Sequence, residues 1–265
     1  RDLHSTSRRQ LHMCIRDSMR YKELTFEGRN AVIEAFRSGK TIDKLFILDG
    51  CQDGPIKSIV REAKKTSTII NYVDKERLDR LANTGHHQGV VAIGAAYEYA
   101  EVEDILEAAR CKGEAPFIFV LDEIEDPHNL GAIIRTANLA GAHGVIIPKR
   151  RAVGLTATVA KTSAGAINYT PVAKVTNIAN TIEALKKEGL WFVCADMGGE
   201  TMYNLDLKGP IGLVIGNEGN GVSRLVKEKC DFVASIPMKG DIDSLNASVA
   251  AGVMAFEIVR QRMIQ

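Results

Sequence analysis

The second half of the chain alternates short, almost wholly apolar runs with segments of helical periodicity, and that alternation leaves few architectures open. The runs FIFVLD from Phe117, GVIIP from Gly144, WFVCAD from Trp191, GLVIGNE from Gly212 and FVASIPM from Phe232 read as buried strands. Between or after them, LGAIIRTANLA, IANTIEALKKE and LNASVAAGVMAFEIVRQR repeat apolar residues at helical spacing. The pattern predicts an α/β fold with a parallel sheet covered on both faces. In such sheets ligands bind beyond the carboxyl ends of the strands. Three of those ends, LDEIEDPHN, GNEGNG and PMKGDIDSLN, concentrate polar residues and glycines.

The first half repeats the theme on a smaller scale. FEGRNAVIEAFRSG, IKSIVREAKK and KERLDRLAN read as helices, and LFILDG, TIINYVD and GVVAIGAA as strands. A chain of 265 residues has room for one large domain or two modest ones. The polar stretch 98–114 is the best linker, although EVEDILEAAR also reads as a short helix; the boundary is set near Glu114. Residues 19–97 then form the smaller domain and 115–265 the larger. Residues 1–18 lack apolar periodicity and precede Met19, so they read as a non-native or disordered leader. A transit peptide is the weaker reading, since Asp2 and Asp17 are acidic.

The formal charge of +1 gives no global attraction for nucleic acid. Without the leader's four basic and two acidic residues it becomes +1 − 2 = −1, so any nucleic-acid contact would have to come from local patches such as Lys149, Arg150 and Arg151. Five scattered cysteines (Cys14, Cys51, Cys111, Cys194, Cys230) show no metal spacing, which predicts a reduced cytoplasmic protein without a metal site. No apolar run approaches the roughly 20 residues that span a bilayer. The sequons at Asn168 and Asn246 are therefore read as chance matches.

Two loops imitate phosphate sites. Ser38-Gly39-Lys40-Thr41 resembles the end of a P-loop but follows a helix, with Glu34 where the leading glycine would stand, and reads as a helix C-cap. Gly216-Asn217-Glu218-Gly219-Asn220-Gly221 has the spacing GxxGxG, not the GxGxxG of dinucleotide folds. Its glycines still permit close backbone approach to a ligand, with Glu218 either at a pocket mouth or capping a helix from Val222 to Lys229.

In PHNLGAIIRTANLAG, from Pro127, Asn129 reads as the N-cap of a helix whose apolar stripe is Leu130, Ile133, Ile134, Ala137 and Ala140. Gly131 in its first turn costs roughly 1 kcal/mol against alanine. Arg135 sits at the edge of the stripe, and a desolvated, unpaired guanidinium would cost several kcal/mol, so it must reach water, a carboxylate or an anionic ligand. The last strand end places Ser244 or Asp243 at an N-cap before a helix lined by Val249, Val253 and Phe256. That cap does not explain Asn246, a poor helix former just inside the first turn.

Taken together, three stretches resemble the signature motifs of the SpoU/TrmH group of SPOUT methyltransferases. They are Asn129-Leu-Gly131-Ala-Ile-Ile-Arg135, Leu213-Val-Ile-Gly216-Asn-Glu218-Gly219, and Ile236-Pro-Met238 with Ser244-Leu245-Asn246-Ala-Ser248-Val-Ala-Ala-Gly252. Ala247, where relatives often carry valine, is a conservative departure. Upstream, Gly28-Arg29-Asn30-Ala-Val-Ile-Glu-Ala, Leu45-Phe-Ile-Leu and Gly85-His86-His87-Gln88-Gly89-Val90 resemble the small ribosomal-protein-like RNA-binding domain of bacterial 23S rRNA guanosine 2′-O-methyltransferases.

The resemblance implies methyl transfer from S-adenosyl-L-methionine to a ribose 2′-hydroxyl of RNA, most specifically a 23S rRNA guanosine. It also implies a C-terminal trefoil knot and a homodimer whose active site joins both chains. Arg135 would meet the substrate phosphate and hydroxyl and stabilise the developing alkoxide, with Asn129 and Glu218 positioning it. Ser244 and Asn246 would hold the methionine part and ribose, and the backbone near Gly216, Ile236, Met238 and Leu245 would bind the cofactor. Arg29, Asn30, His86 and His87 would dock RNA, although the two histidines also read simply as a turn before a strand. Two other readings stay open: a tRNA ribose methyltransferase, and a non-catalytic RNA-binding or ribosome-assembly protein of the same fold.

Overall fold

The computed structural model describes residues 24–242 and 244–263. The expected leader, Met19 and Asp243 lie outside the described residues. Contacts divide the chain into two units: the described residues up to Glu98 with Gly154–Ala157, and Tyr99–Val153 with the chain from Thr158 onward.

The first unit holds β1 (Leu24–Glu27), α1 (Arg29–Arg37), β2 (Ile42–Leu48), α2 (Gly54–Lys65), β3 (Ile69–Val73), α3 (Lys75–Leu81) and β4 (Val90–Gly94). Its sheet has the order β1-β4-β2-β3, with β2 and β3 parallel and β4 antiparallel to both β1 and β2. Val32, Phe36, Leu45, Ile47, Ile56, Ile59 and Val90 form its main core. The P-loop lookalike is a helix end: Ser38 caps α1 and Gly39 takes φ +72.

The second unit contains α4 (Val102–Lys112), β5 (Phe117–Leu121), α5 (Pro127–Leu139), β6 (Gly144–Pro148), α6 (Ala157–Thr162), β7 (Val172–Val175), α7 (Ile178–Lys187), β8 (Trp191–Thr201), β9 (Ile211–Ile215), α8 (Arg224–Lys227), β10 (Phe232–Ser235) and α9 (Ala247–Met263). Its six strands run in the order β10-β8-β9-β5-β6-β7, and every neighbouring pair is parallel, as the alternation predicts. One face of the sheet packs Ile118, Val120, Ile146 and Phe192 against α4, α7 and α8. Alternation of side chains along the strands turns Phe117, Phe119 and Leu121 to the other face, beside α5 and α9.

The expected linker at 98–114 is corrected in favour of the short helix that EVEDILEAAR also allowed. It carries α4, whose Ile105, Leu106 and Ala109 are buried in the core of the second unit. Its acidic run is cap chemistry: Asp104 accepts the Glu101 backbone N–H at 2.9 Å, and Gly113 closes the helix in the left-handed conformation. The unit boundary therefore falls after Glu98. The strand β7 and the short helix α6 carry weak periodicity and were not expected from sequence.

Two structural details carry predictions. A Cβ on Gly131 would collide with Thr162 Oγ1 and lie 2.8 Å from Thr162 Cβ, so the glycine allows α6 to lie against the first turns of α5. Gly131→Ala is expected to destabilise the protein by about 1–3 kcal/mol despite alanine's better helix propensity. Denaturant unfolding measures this, and a stabilised variant would contradict the close approach.

His143, buried before β6, accepts the Phe117 N–H on Nδ1 at 3.0 Å, which leaves Nε2–H to donate to Glu114 at 3.1 Å. Burial outweighs the Glu114 hydrogen bond and holds its pKa below the ordinary 6.5. Between the lowered folded value and 6.5 the unfolded chain binds more protons, so this stabilisation is complete above pH 6.5 and is lost as pH falls through the folded value. Chemical unfolding at pH 7.5 and 5.5 should show a larger loss of stability for wild type than for His143→Gln, which cannot titrate; equal losses would refute it.

Candidate active site

Strand β8 and the carboxyl ends of β9 and β10 open into one cleft of about 400 Å³. Its walls come from Ala195, Asp196 and Met197 in the middle of β8, the Gly216–Gly221 loop after β9, Ser235 at the end of β10, and Ile236, Met238, Ser244 and Leu245 beyond it. The start of α9 closes it with Ala247 and Ala250. All four residues expected to bind cofactor through the backbone, Gly216, Ile236, Met238 and Leu245, line this cleft.

The β9 loop is folded tightly on itself. Asn217 exchanges two backbone hydrogen bonds with Gly221, at 3.0 and 2.8 Å, and its side-chain oxygen accepts the Gly219 N–H at 2.8 Å. A Cβ on Gly216 would overlap the Gly221–Val222 peptide, so only glycine permits this closure. Asn217 Nδ2 also donates 3.0 Å to the Glu123 carbonyl, which ties the loop to the end of β5.

At the mouth of the cleft three motif side chains converge. Asn129 Nδ2 donates to Glu218 Oε1 at 2.9 Å, Asn246 Nδ2 donates to Asn129 Oδ1 at 3.0 Å and also to Glu218, and the Ala247 N–H reaches Glu218 at 3.3 Å. Glu218 is thus held against the N-terminus of α9, where the helix dipole favours a carboxylate. It does not cap α8, whose Ser223 N–H instead donates to Asp122 at 2.7 Å.

The caps differ from expectation in two places. Asp126, not Asn129, caps α5: its Oδ1 accepts the His128 N–H at 3.0 Å and Pro127 occupies the first helical position. That frees the buried Asn129 side chain for Glu218. Asn246, not Ser244, caps α9, its Oδ1 accepting from Ser248 N at 2.9 Å and Val249 N at 3.3 Å. This explains the residue that the sequence left unexplained. Ser244 lines the cleft but stands apart from the Asn129–Glu218–Asn246 hydrogen bonds.

Arg135 is exposed and, among the described residues, makes no side-chain hydrogen bond or ion pair. Six residues of α-helix separate it from Asn129, a net rotation of about 240° and a rise of about 9 Å, so the two side chains leave α5 in different directions. Leu139, one turn on, shares its exposed flank at 66% accessibility. On α9, the stripe of Val249, Val253 and Phe256 that lines the helix in the sequence also faces outward, and the core is built from Ala247, Ala251, Met254, Ala255 and Ile258. The small residues let α9 approach its neighbours closely and leave the larger apolar stripe free.

Of the residues expected to dock RNA, Asn30 and His86 are exposed on the first unit. Arg29 is engaged, with Asp53 at 2.6 Å and the Gln88 carbonyl at 3.2 Å. His87 is buried between Asp79 on Nε2, at 2.9 Å, and the Gly89 N–H on Nδ1, at 3.0 Å, so it fastens the turn before β4. Among the described residues no cluster of three metal-ligating side chains occurs, and no helix is long and apolar enough to cross a membrane.

Residues 116–256 match the SpoU rRNA Methylase family, and residues 26–100 match the family described as RNA 2′-O ribose methyltransferase substrate binding. The chain belongs to the SpoU rRNA methylase family. A Bacillus subtilis protein, YacO, named for the TrmH family of tRNA/rRNA methyltransferases, is 53% identical over 236 residues, 89% of this chain and 94% of its own. A Staphylococcus saprophyticus protein named for the same family is 49% identical over 242 residues, 91% and 97% of the two chains. Among solved structures, the SpoU methyltransferase AviRb of Streptomyces viridochromogenes, in complex with AdoMet, aligns with a TM-score of 0.57 at 25% identity over 92% of each chain. An AdoMet-bound rRNA methyltransferase of Sinorhizobium meliloti aligns with a TM-score of 0.56 at 26% identity, covering 92% of this chain and 89% of that one.

Proposed function

We propose that this protein methylates a ribose 2′-hydroxyl of RNA, a guanosine of 23S rRNA, as a cytoplasmic homodimer whose C-terminal region forms a trefoil knot. The observation that carries the reading is the convergence of Asn129, Glu218 and Asn246 at the mouth of a glycine-walled cleft. The AdoMet-bound relatives and the match of residues 26–100 to a substrate-binding family support it.

The cleft fits S-adenosyl-L-methionine. Ile215, Ile236, Met238 and Leu245 offer apolar walls, and the Gly216–Gly221 loop brings backbone groups to its rim. When bound, the cofactor supplies an electrophilic methyl group on sulfur. Alignment of the hydroxyl with that methyl can contribute roughly 7–11 kcal/mol. Glu218, fixed by Asn129, Asn246 and the α9 N-terminus, is the anchor for that alignment. Ser244, on the cleft wall, holds the methionine part.

Arg135 binds the substrate phosphate and stabilises the developing alkoxide. A guanidinium is a poor proton acceptor, so Arg135 holds the oxygen by hydrogen bonding while the hydroxyl proton leaves to water. Its absence from the walls of its own cleft fits a site in which each Arg135 serves the partner's cleft. The exposed stripe of Val249, Val253 and Phe256 supplies an apolar surface for that pairing. The first unit, ribosomal-protein-like in this reading, presents Asn30 and His86 to RNA, while Arg29 and His87 shape the surface around them.

The test is incubation with labelled S-adenosyl-L-methionine and either unmodified 23S rRNA or unmodified tRNA, with Arg135→Ala as control. Label in a ribose of 23S rRNA, lost in the variant, is the expected result. Label in tRNA alone would overturn the substrate, and no transfer by folded dimer to either RNA would overturn the catalytic reading.

A further inference from the structure

A carboxylate outside all three sequence motifs stands in the cleft wall. Strand β8 pairs with β10 through Cys194 opposite Val233, and the next pairing joins Glu200 to Ala234, so residues 195–199 bulge out of the ladder. Gly198 at φ +77 turns the bulge, and Gly199 lies so close to the Val233 backbone that a Cβ there would overlap it. Bulges of this kind re-aim side chains beside functional sites. The bulge carries Asp196, which lines the cleft.

Asp196 is 21% exposed, and its Oδ2 accepts from Lys227 Nζ at 2.8 Å. Oδ1 makes no hydrogen bond among the described residues. Asp196 holds the Lys227 ammonium above its ordinary pKa, so the lysine is charged throughout the physiological range. One oxygen is thus fixed and the other is free to accept.

Resting on the cofactor reading above, we propose that Asp196 accepts the ribose hydroxyls of S-adenosyl-L-methionine, with Lys227 positioning its carboxylate. Besides the neutral N6 amino group of adenine, which the dideoxy probe below retains and so tests, the cofactor offers three groups to a carboxylate. Its sulfonium carries no hydrogen to donate. Its α-ammonium would sit beside Lys227 on the same carboxylate, and two like charges that close repel, most strongly where water is partly excluded. The ribose diol is neutral and donates without that repulsion. An acidic residue near a strand end plays this part for nucleotide riboses in other doubly wound folds.

The test is calorimetric binding of three probes to wild type, Asp196→Ala and the isosteric Asp196→Asn. The probes are S-adenosylhomocysteine, 5′-methylthioadenosine, which lacks the α-ammonium, and the 2′,3′-dideoxy form of 5′-methylthioadenosine. Hydrogen bonds to a charged group correspond to about a 10- to 100-fold change in affinity. Asp196→Ala should weaken the first two probes by the same factor of that size, and wild type should lose a similar factor on the dideoxy probe, which Asp196→Ala should bind no worse than wild type does. Lys227→Met should show a smaller loss on both ribose probes.

If Asp196→Ala weakened S-adenosylhomocysteine but not 5′-methylthioadenosine, the partner would be the ammonium and the proposal would fail. Equal binding of the dideoxy and ribose forms by wild type would also overturn it, and needs no variant to fold. Wild type that bound none of the probes would overturn the cofactor reading itself, and the proposal with it.

Discussion

Replacing Arg135 with alanine is expected to lower turnover by about 10²- to 10³-fold, the usual effect of removing one preorganised donor from a developing oxyanion. Affinity for S-adenosylhomocysteine should not change, because Arg135 does not line the cleft. Arg135→Lys should recover only part of the loss, since a point charge cannot reproduce the planar fork that engages phosphate and hydroxyl together. The sharper measurement is complementation. Arg135→Ala keeps an intact cleft, and Glu218→Ala keeps an intact arginine. If each arginine serves the partner's cleft, equal mixing after subunit exchange gives half heterodimers with one working site in two, and so about a quarter of wild-type activity. An arginine acting in its own cleft would give no recovery above the two variants alone.

The parallel sheet was legible because buried strands leave a simple mark, continuous apolar runs between amphipathic helices. Asn129, Glu218 and Asn246 were legible because three separated strand ends carry motifs that resemble one family. What escaped was set by tertiary contact. Asp126 and Asn129 are both competent caps, and Pro127 at the first helical position decides for Asp126. The acidic stretch before Glu114 looked like a linker because its charges occupy the exposed first turn of α4 while Ile105 and Leu106 face the core. On α9 the periodicity of Val249, Val253 and Phe256 is real but marks the outer face, since the alanine face packs more closely. Composition cannot say which of two apolar stripes meets the protein's own core. Asp196 was missed for a related reason: at the end of the run WFVCAD it looks like an ordinary strand terminus, until the longer strand and the bulge that redirects it are seen.

Glu218 carries the second large effect. Glu218→Ala removes the acceptor shared by Asn129 Nδ2, Asn246 Nδ2 and the Ala247 N–H. Glu218 itself is exposed, so the cost falls mainly on Asn129, which is 6% exposed and would be left with an unsatisfied donor worth about 1–3 kcal/mol. The start of α9 would also lose a carboxylate at its positive end, a smaller contribution of about 0.3–1 kcal/mol. Because the same contacts hold Asn246 and the cleft rim, the disorder should reach the bound substrate, and turnover is expected to fall by at least about 10²-fold when positioning is lost. Glu218→Gln separates geometry from charge. Its amide oxygen still accepts from Asn129 and Asn246, so the melting temperature should stay near that of wild type. Wild-type turnover in this variant would make Glu218 a purely geometric support. Turnover reduced at unchanged stability would show that the negative charge acts on the reacting hydroxyl or on Arg135 of the partner protomer, and the same complementation assay would say which protomer's arginine it meets.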